Sequence, residues 1–353
     1  KQFIFFLISL VSGIFLLVID PKSLEPFSNF AYFFSIILLI GLFLFGKTVN
    51  LSTSWYSIGP ISLQPSEFTK IGTILVLGNY LSNIQTDIKK ISSQLKIIAL
   101  LAIPVFLISF QPDLGSAIIF IAFFFPLFRE GLSYIYLIVF VSATLLFLIT
   151  ISFETTITIT IIFLLSIIIY FFLRYINSKI KIWPIIIFTI VSIGFSFMVD
   201  YGYYELFEQR HRDRIEIFLG KKIDFKGAGY NINQSKIAIG SGGLQGKGFL
   251  KGTQSYLDFL PEKHTDFIFT LFSEEFGFIG SIALLIIYLI IIIRIIRIGA
   301  ISRSNFAKLF CFGFAFAIFI YIVVNLSMVL GLLPIVGSPL PIMSYGGSSM
   351  LAT

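Results

Sequence analysis

The chain has 353 residues, of which 57% are hydrophobic and only 12% charged, with a net charge of +7. A soluble domain carries about twice that share of charge, so an ordinary soluble domain is excluded and an all-α polytopic integral membrane protein is expected. The positive balance points to orientation signals and anionic lipid head groups, not to nucleic acid, and a single cysteine, Cys311, excludes an intrachain disulfide.

Apolar runs long enough to approach a membrane crossing predict helices over 3–19, 29–46, 66–82, 95–110, 114–129, 133–151, 155–173, 183–200, 265–293, 306–331 and 341–353. That makes about ten to eleven transmembrane helices with one long extracytoplasmic loop, arranged as an N-terminal set (1–200), the loop (201–264) and a C-terminal set (265–353) of one integral membrane domain. Short loops rich in Lys and Arg face the cytoplasm. They are 83–96 (Lys89, Lys90, Lys96), 174–181 (Arg174, Lys179, Lys181) and 294–308 (Arg294, Arg297, Arg303, Lys308), joined by the loop at Arg129. Segments 47–65, 111–113, 152–154, 201–264 and 332–340 then fall outside, and the alternation has no conflict. It places Lys1 outside and leaves the final helix too short to cross, so a further helix before Lys1 and further residues after Thr353 are expected. Apolar residues punctuate the long loop (Ile237, Ile239, Leu244, Phe249, Leu257, Phe259, Leu260), which reads as an ordered outer cap lying partly on the membrane.

Five polar stretches interrupt the apolar pattern. Gln64-Pro65-Ser66-Glu67 opens a helix, with Lys70 one turn later. Either Glu67 complements the helix dipole and Lys70 snorkels to the surface, or the two pair on one face and line a polar cavity. Gln111-Pro112-Asp113 repeats the device, with Asp113 expected to cap backbone N–H groups.

In the long loop Arg210, Arg212 and Arg214 alternate with His211 and Asp213, while Lys236, Lys247 and Lys251 flank IGSGGLQGKG. Glycine-rich backbone beside cations suits a diphosphate. The same pattern describes a solvated loop, and it lacks P-loop spacing.

His264-Thr265-Asp266 stands where a polar loop turns into an apolar run. Thr265 is expected to N-cap that helix, and His264 reads as a loop hydrogen-bonder. Asp266 is either a helix-start acid or a general base for a sugar or lipid hydroxyl, with Glu274 near the same face and Glu275 beside it. Intramembrane carboxylates usually mark a functional site. Near the end, Gly337-Ser338-Pro339-Leu340-Pro341 and Ser344-Tyr345-Gly346-Gly347 break an apolar region, as small residues do at close helix contacts or along a substrate cavity. Asn325 is expected to hydrogen-bond a neighbouring helix.

At ISLQPSEFTKIG (61–72), QPDLGSA (111–117), GAGYNINQSKIAIGSGGLQGKGFLKGTQS (227–255), FLPEKHTDFIF (259–269), SEEFGFIG (273–280) and GLLPIVGSPLPIMSYGGSSM (331–350) the sequence resembles the SEDS family of shape, elongation, division and sporulation proteins, its RodA-like branch above all. The resemblance implies a peptidoglycan glycosyltransferase that polymerises lipid II into a nascent glycan strand on the outer face of the bacterial cytoplasmic membrane. Its partners would be a class B penicillin-binding transpeptidase and other elongation-complex membrane proteins. By motif it puts Asp266 at the family's essential aspartate and Glu67 and Lys70 at its cavity ion pair. Two departures stand out: Ser54 precedes Trp55 where the family has an Arg, and 133–200 reads as three helices where some relatives have one.

The mechanism expected is general-base catalysis by Asp266, with Arg212, Arg214, Lys236 and Lys247 as candidates to neutralise diphosphate. Gln64, Asp113, His264, Glu274 and Ser344 are further polar candidates. A divalent cation, Mg or Mn, could share the charge, although the two His residues cannot build a zinc site. The competing readings are a lipid II flippase, which needs polar groups through the full depth of the membrane, and a non-catalytic scaffold for the transpeptidase, which predicts a dispensable Asp266.

Overall fold

The computed structural model describes residues 2–18, 21–49, 52–58, 61–176, 181–222, 224, 227–253 and 262–352. Lys1, Lys179, Leu257, Phe259, Leu260 and Thr353 lie outside them. The chain forms two compact units, one of Lys1–Leu132 with Asp224–Thr353 and one of Ser133–Ile223.

In the first unit, α1 (Gln2–Val18) and α2 (Pro21–Phe45) lead into a small antiparallel sheet of β1 (Lys47–Val49), β2 (Ser52–Ile58) and β3 (Ile61–Leu63), paired in the order β1-β2-β3. Lys47 lies opposite Trp55, and Tyr56 opposite Leu63. This sheet corrects the all-α expectation for 47–65. The residues there, Thr53, Trp55, Tyr56 and Ile58, are β formers, and Tyr56 anchors the sheet by donating to the Leu38 carbonyl of α2 at 2.8 Å.

Then follow α3 (Pro65–Ser82), α4 (Ile91–Ser109), α5 (Leu114–Ile118), a 3-10 turn Ile119–Phe123 and α6 (Phe124–Arg129). The single helix predicted over 114–129 is thus a stack of short pieces. Its Pro126 has no N–H to give to the helical ladder.

α3 is the buried axis of this unit, packed against α2 and against α13 (Asn305–Val329). Its small residues allow the close approach: a Cβ on Gly72 would meet Ala31 and Tyr32 backbone, and one on Gly78 would meet Phe306.

The second unit contains α7 (Ile135–Ser152), α8 (Thr155–Ile176), α9 (Trp183–Tyr201), a π-helical turn Gly202–Leu206 and α10 (Gln209–Phe218). Its helices meet through hydroxyls: Thr150 to Ser196 at 3.2 Å and Thr189 to Ser166 at 2.8 Å. Such bonds hold helices together where lipid offers no hydrophobic gain.

Returning to the first unit, α11 (Ala228–Gly242) packs on α12 (Ile268–Ile301), and α12 on α13. The segment read as a long loop therefore carries helices. α12 overruns its predicted end at 293 and includes Arg294 and Arg297. The helix predicted from 341 is confined to α14 (Gly347–Ala352), because Pro339, Pro341 and Gly346 interrupt it.

Among the described residues seven helices are long and apolar enough to cross a membrane: Ser23–Phe45, Ile91–Ser109, Ile135–Ser152, Thr155–Ile176, Trp183–Glu205, Ile268–Ile301 and Asn305–Val329. Their outward faces expose large apolar side chains such as Phe33, Phe163, Ile187 and Ile290, as a lipid solvent permits.

Candidate active site

Two helix starts and two loops converge in the first unit. The Gln64 side chain at the head of α3 donates through Nε2 to Asp113 Oδ2 at 3.0 Å, while Asp113 caps α5 by accepting from the Ser116 amide at 3.0 Å. The two Gln-Pro-acid motifs are therefore hydrogen-bonded to each other, a link that spacing alone did not reveal. Gly115 is in contact with the loop 336–346, where an added Cβ would collide with the Gly337 carbonyl. Ser348 closes the ring by accepting from the Gln64 amide at 3.0 Å and donating to the Ser62 carbonyl at 3.2 Å.

Asp266 lies on the other side of Gly337: its Oδ2 would be 3.4 Å from a Cβ at that position. The carboxylate is partly exposed, in a turn spanning 262–267. Thr265 does not cap the following helix. Its hydroxyl donates back to Glu262 Oε2 at 2.9 Å, and the N-cap of α12 is Phe267, with no side-chain cap. Ser344 ties the turn to the loop, donating to the Thr265 carbonyl at 2.7 Å and accepting from the Leu340 amide at 2.7 Å. The exposed His264 contributes its carbonyl, which accepts from the Tyr345 amide at 2.8 Å. Asn325 does not bond a neighbouring helix. Its amide donates to the Asp266 and Ser338 carbonyls at 2.8 and 2.7 Å.

Deeper between α3 and α13, Glu67 and Lys70 pair at 2.7 Å with side chains only 6% and 5% exposed. Tyr321 completes the group: its hydroxyl donates to Glu67 at 2.8 and 3.0 Å, accepts from Lys70, and its ring lies under the ammonium at 4.6 Å. The surface-snorkelling alternative for Lys70 is thereby excluded. Sequence reasoning missed Tyr321. The available signal was its spacing four residues before Asn325, which puts both polar groups on one face of an otherwise apolar helix.

The glycine-rich loop after α11 packs against a kink in α12. Gly277 inside α12 has φ +65° and ψ −164°, a conformation open to glycine alone, and interrupts the helical ladder. Four backbone groups beside the kink bond to the loop. Lys247 and Gly248 amides donate to the Glu274 and Glu275 carbonyls at 3.0 and 2.9 Å, while Phe278 and Ile279 amides donate to the Gly243 and Leu244 carbonyls at 2.9 and 3.1 Å. Lys247 pairs with the fully buried Glu274 at 2.7 Å, and Thr253 donates to the same carboxylate oxygen from its amide and hydroxyl at 2.9 and 3.1 Å. The loop splints a kinked helix, so its Lys247 and Gly248 amides are committed to carbonyls and not presented to phosphate.

Lys236 of α11 is exposed, with its ammonium against Gly331. Arg212 belongs to the second unit, where it donates to the Tyr204 carbonyl at 2.7 Å, and Arg214 lies on the same helix, α10. Among the described residues no three His, Cys, Asp or Glu side chains gather as an ion cage.

The family model described as "Cell cycle protein", covering FtsW, RodA and SpoVE, matches residues 1–160 and 145–353. The chain is 35% identical over 336 residues to the peptidoglycan glycosyltransferase MrdB of Escherichia coli K12, covering 94% of this chain and 76% of that one. It is 35% identical over 337 residues to the peptidoglycan glycosyltransferase RodA of Treponema pallidum, covering 89% and 77%. In fold it is similar to a chain of a peptidoglycan synthase complex described as coordinating polymerization and crosslinking (TM-score 0.70, 24% identity, 99% and 84% covered). It is similar likewise to the rod shape determining protein RodA of Thermus thermophilus (TM-score 0.62, 22% identity, 99% and 82% covered). A helical, multi-pass architecture, the ring of motifs around Gly337 and matches along the whole length agree, and the chain belongs to the FtsW/RodA/SpoVE family.

Proposed function

We propose that the chain is a peptidoglycan glycosyltransferase that polymerises lipid II into glycan strands for cell elongation and shape. The observation that carries this reading is the placement of Asp266, a partly exposed carboxylate in a turn fixed by three backbone carbonyl contacts, in a family whose named relatives are peptidoglycan glycosyltransferases.

Asp266 accepts the proton of the acceptor sugar's hydroxyl as that oxygen bonds to the donor's anomeric carbon. The bond from that carbon to the lipid diphosphate breaks, and the electron pair leaves with the phosphate oxygen. Lys236 is the cation proposed to meet the departing charge; Lys247, paired with Glu274, is left out of that role. The Glu67–Lys70–Tyr321 group shapes the interior between α3 and α13 from which the lipid chain is approached.

The membrane is the bacterial cytoplasmic membrane, with Asp266 on its outer side by the distribution of Lys and Arg among the short loops. The seven long apolar helices, with α1, α3 and the Leu114–Arg129 stack, give ten crossings. The partner is a class B penicillin-binding transpeptidase, in keeping with the relative that works in a complex coordinating polymerization and crosslinking.

The test is lipid II polymerisation by purified protein with its transpeptidase, in detergent, with moenomycin present to silence other polymerases. Wild type makes strands, and Asp266→Asn, equal in size but unable to take the proton, loses activity by about 10²–10⁴-fold. A well-folded Asp266→Asn protein that still polymerises overturns the assignment. Failure of wild type, with partner and a divalent cation supplied, transfers the reading to lipid transport or scaffolding.

A further inference from the structure

The chemistry proposed for Asp266 depends on where its carboxylate stands, and the group that fixes that position from behind is on α13. Asn325 is 0% exposed. Its single NH2 group has two N–H bonds, and both are used: one on the carbonyl of Asp266 itself, the other on the carbonyl of Ser338. Two carbonyl acceptors demand the NH2 side of the amide, so the orientation follows from the partners. The two segments joined this way flank the Asp266 side chain, since an added Cβ on Gly337, next to Ser338, would lie 3.4 Å from its Oδ2. The same loop reaches α5 through Gly115.

This arrangement is not optimised for stability. Among the described residues the other half of the amide, Asn325 Oδ1, and the neighbouring Ser338 hydroxyl are buried with no hydrogen-bond partner. Burying an unpaired acceptor costs stability, whereas an apolar side chain of the same shape would avoid that cost. An amide kept at such a place is kept for what its two donors hold together. The sequence marked Asn325 as a hydrogen-bonder but did not reveal its partner, because Asn325 lies 59 residues from Asp266 in the chain.

We infer that Asn325 is a positioning residue for the glycosyl transfer: it clamps the Asp266 peptide to the Gly337–Ser338 loop and so sets the carboxylate at its working distance from the acceptor hydroxyl. It touches neither substrate nor the reacting atoms. The inference rests on the proposed function. Losing the clamp lets the turn and the loop move apart by a fraction of an ångström to an ångström, and a misplacement of that order costs up to about 10²-fold in rate.

The test compares wild type and Asn325→Leu, full chain with its transpeptidase, in the lipid II assay, together with thermal unfolding of the same preparations. Leu has the same branching and number of side-chain heavy atoms as Asn, with bulkier methyl ends, and removes both donors and the orphan acceptor. The expected result is a split: kcat falls about 10–100-fold and KM for lipid II stays within about twofold, while the unfolding midpoint falls by only a few degrees, because the Asp266 and Ser338 carbonyls lose their donor, and the variant stays folded at the assay temperature. A folded Asn325→Leu protein at wild-type kcat overturns the inference. So does a loss of activity that merely tracks the loss of folded protein, which is what a structural role predicts. Should Leu fail to fold, Asn325→Ala, smaller and without the two amide donors, carries the same split. If neither variant folds, Asn325 is structural and the inference falls. A wild type that makes no strands removes the proposed function itself, and that outcome is distinct from a wild type and variant that polymerise alike.

Discussion

The buried Glu67–Lys70–Tyr321 group gives the sharpest energetic prediction. Lys70→Met removes the cation while filling most of its volume, and leaves Glu67 only 5% exposed with the Tyr321 hydroxyl as its remaining donor. Removing one partner of a buried pair leaves an uncompensated charge, at a cost of about 3–5 kcal/mol. Replacing both partners, Glu67→Gln with Lys70→Met, takes away the charge that needed compensation, and should recover about 2–3 kcal/mol of that loss. The structure sharpens the expectation. Lys70 also lies over the Tyr321 ring at 4.6 Å, so part of its contribution is lost in the double variant too and recovery stays incomplete. The measurement is the apparent thermal midpoint of the purified protein in detergent for wild type, both single variants and the double. The Lys70→Met shift is downward by roughly 4–7 °C, with the double variant between the single and wild type. A single variant unfolding at the wild-type temperature, or a double variant whose loss equals the sum of the two singles, refutes the reasoning.

Two further predictions concern the splinted kink. Gly277→Ala forces a side chain onto φ +65° and into the 244–246 backbone; it should cost on the order of 1–3 kcal/mol and free the loop, read as faster hydrogen exchange at the Lys247 and Gly248 amides, while Gly240→Ala, with open space around its Cβ, should leave both measurements near wild type. Lys247→Met strips the fully buried Glu274 of its cation but leaves the Thr253 donors, so a loss of about 1.5–3 kcal/mol is expected. Glu274→Gln, which removes the buried charge and leaves the partly exposed Lys247 to water, should cost less, and the reverse order in the two unfolding midpoints would contradict the pairing.

Much of this protein was determined by its sequence alone. Composition and the length of the apolar runs require helices in lipid, because a backbone there must satisfy its own hydrogen bonds. The three helices read across 133–200 are present as α7, α8 and α9, and the capping role of Asp113 follows from residue type at a helix start. The i, i+3 spacing of Glu67 and Lys70 is a local relation and was legible as such, including the option of a pair.

Other features depend on atoms far apart in the chain, and only the tertiary structure decided them. Tyr321 reaches Glu67 across 254 residues, Ser348 reaches Gln64 across 284, and Asn325 clamps Asp266 across 59. The glycine-rich loop illustrates the limit most plainly. Glycines beside lysines meet the requirements of a phosphate cradle and of a backbone splint equally well, because both need bare N–H groups and close approach. The choice was made by Gly277, 29 residues beyond Gly248, whose kink left carbonyls and amides on α12 that a helix in lipid cannot leave unpaired.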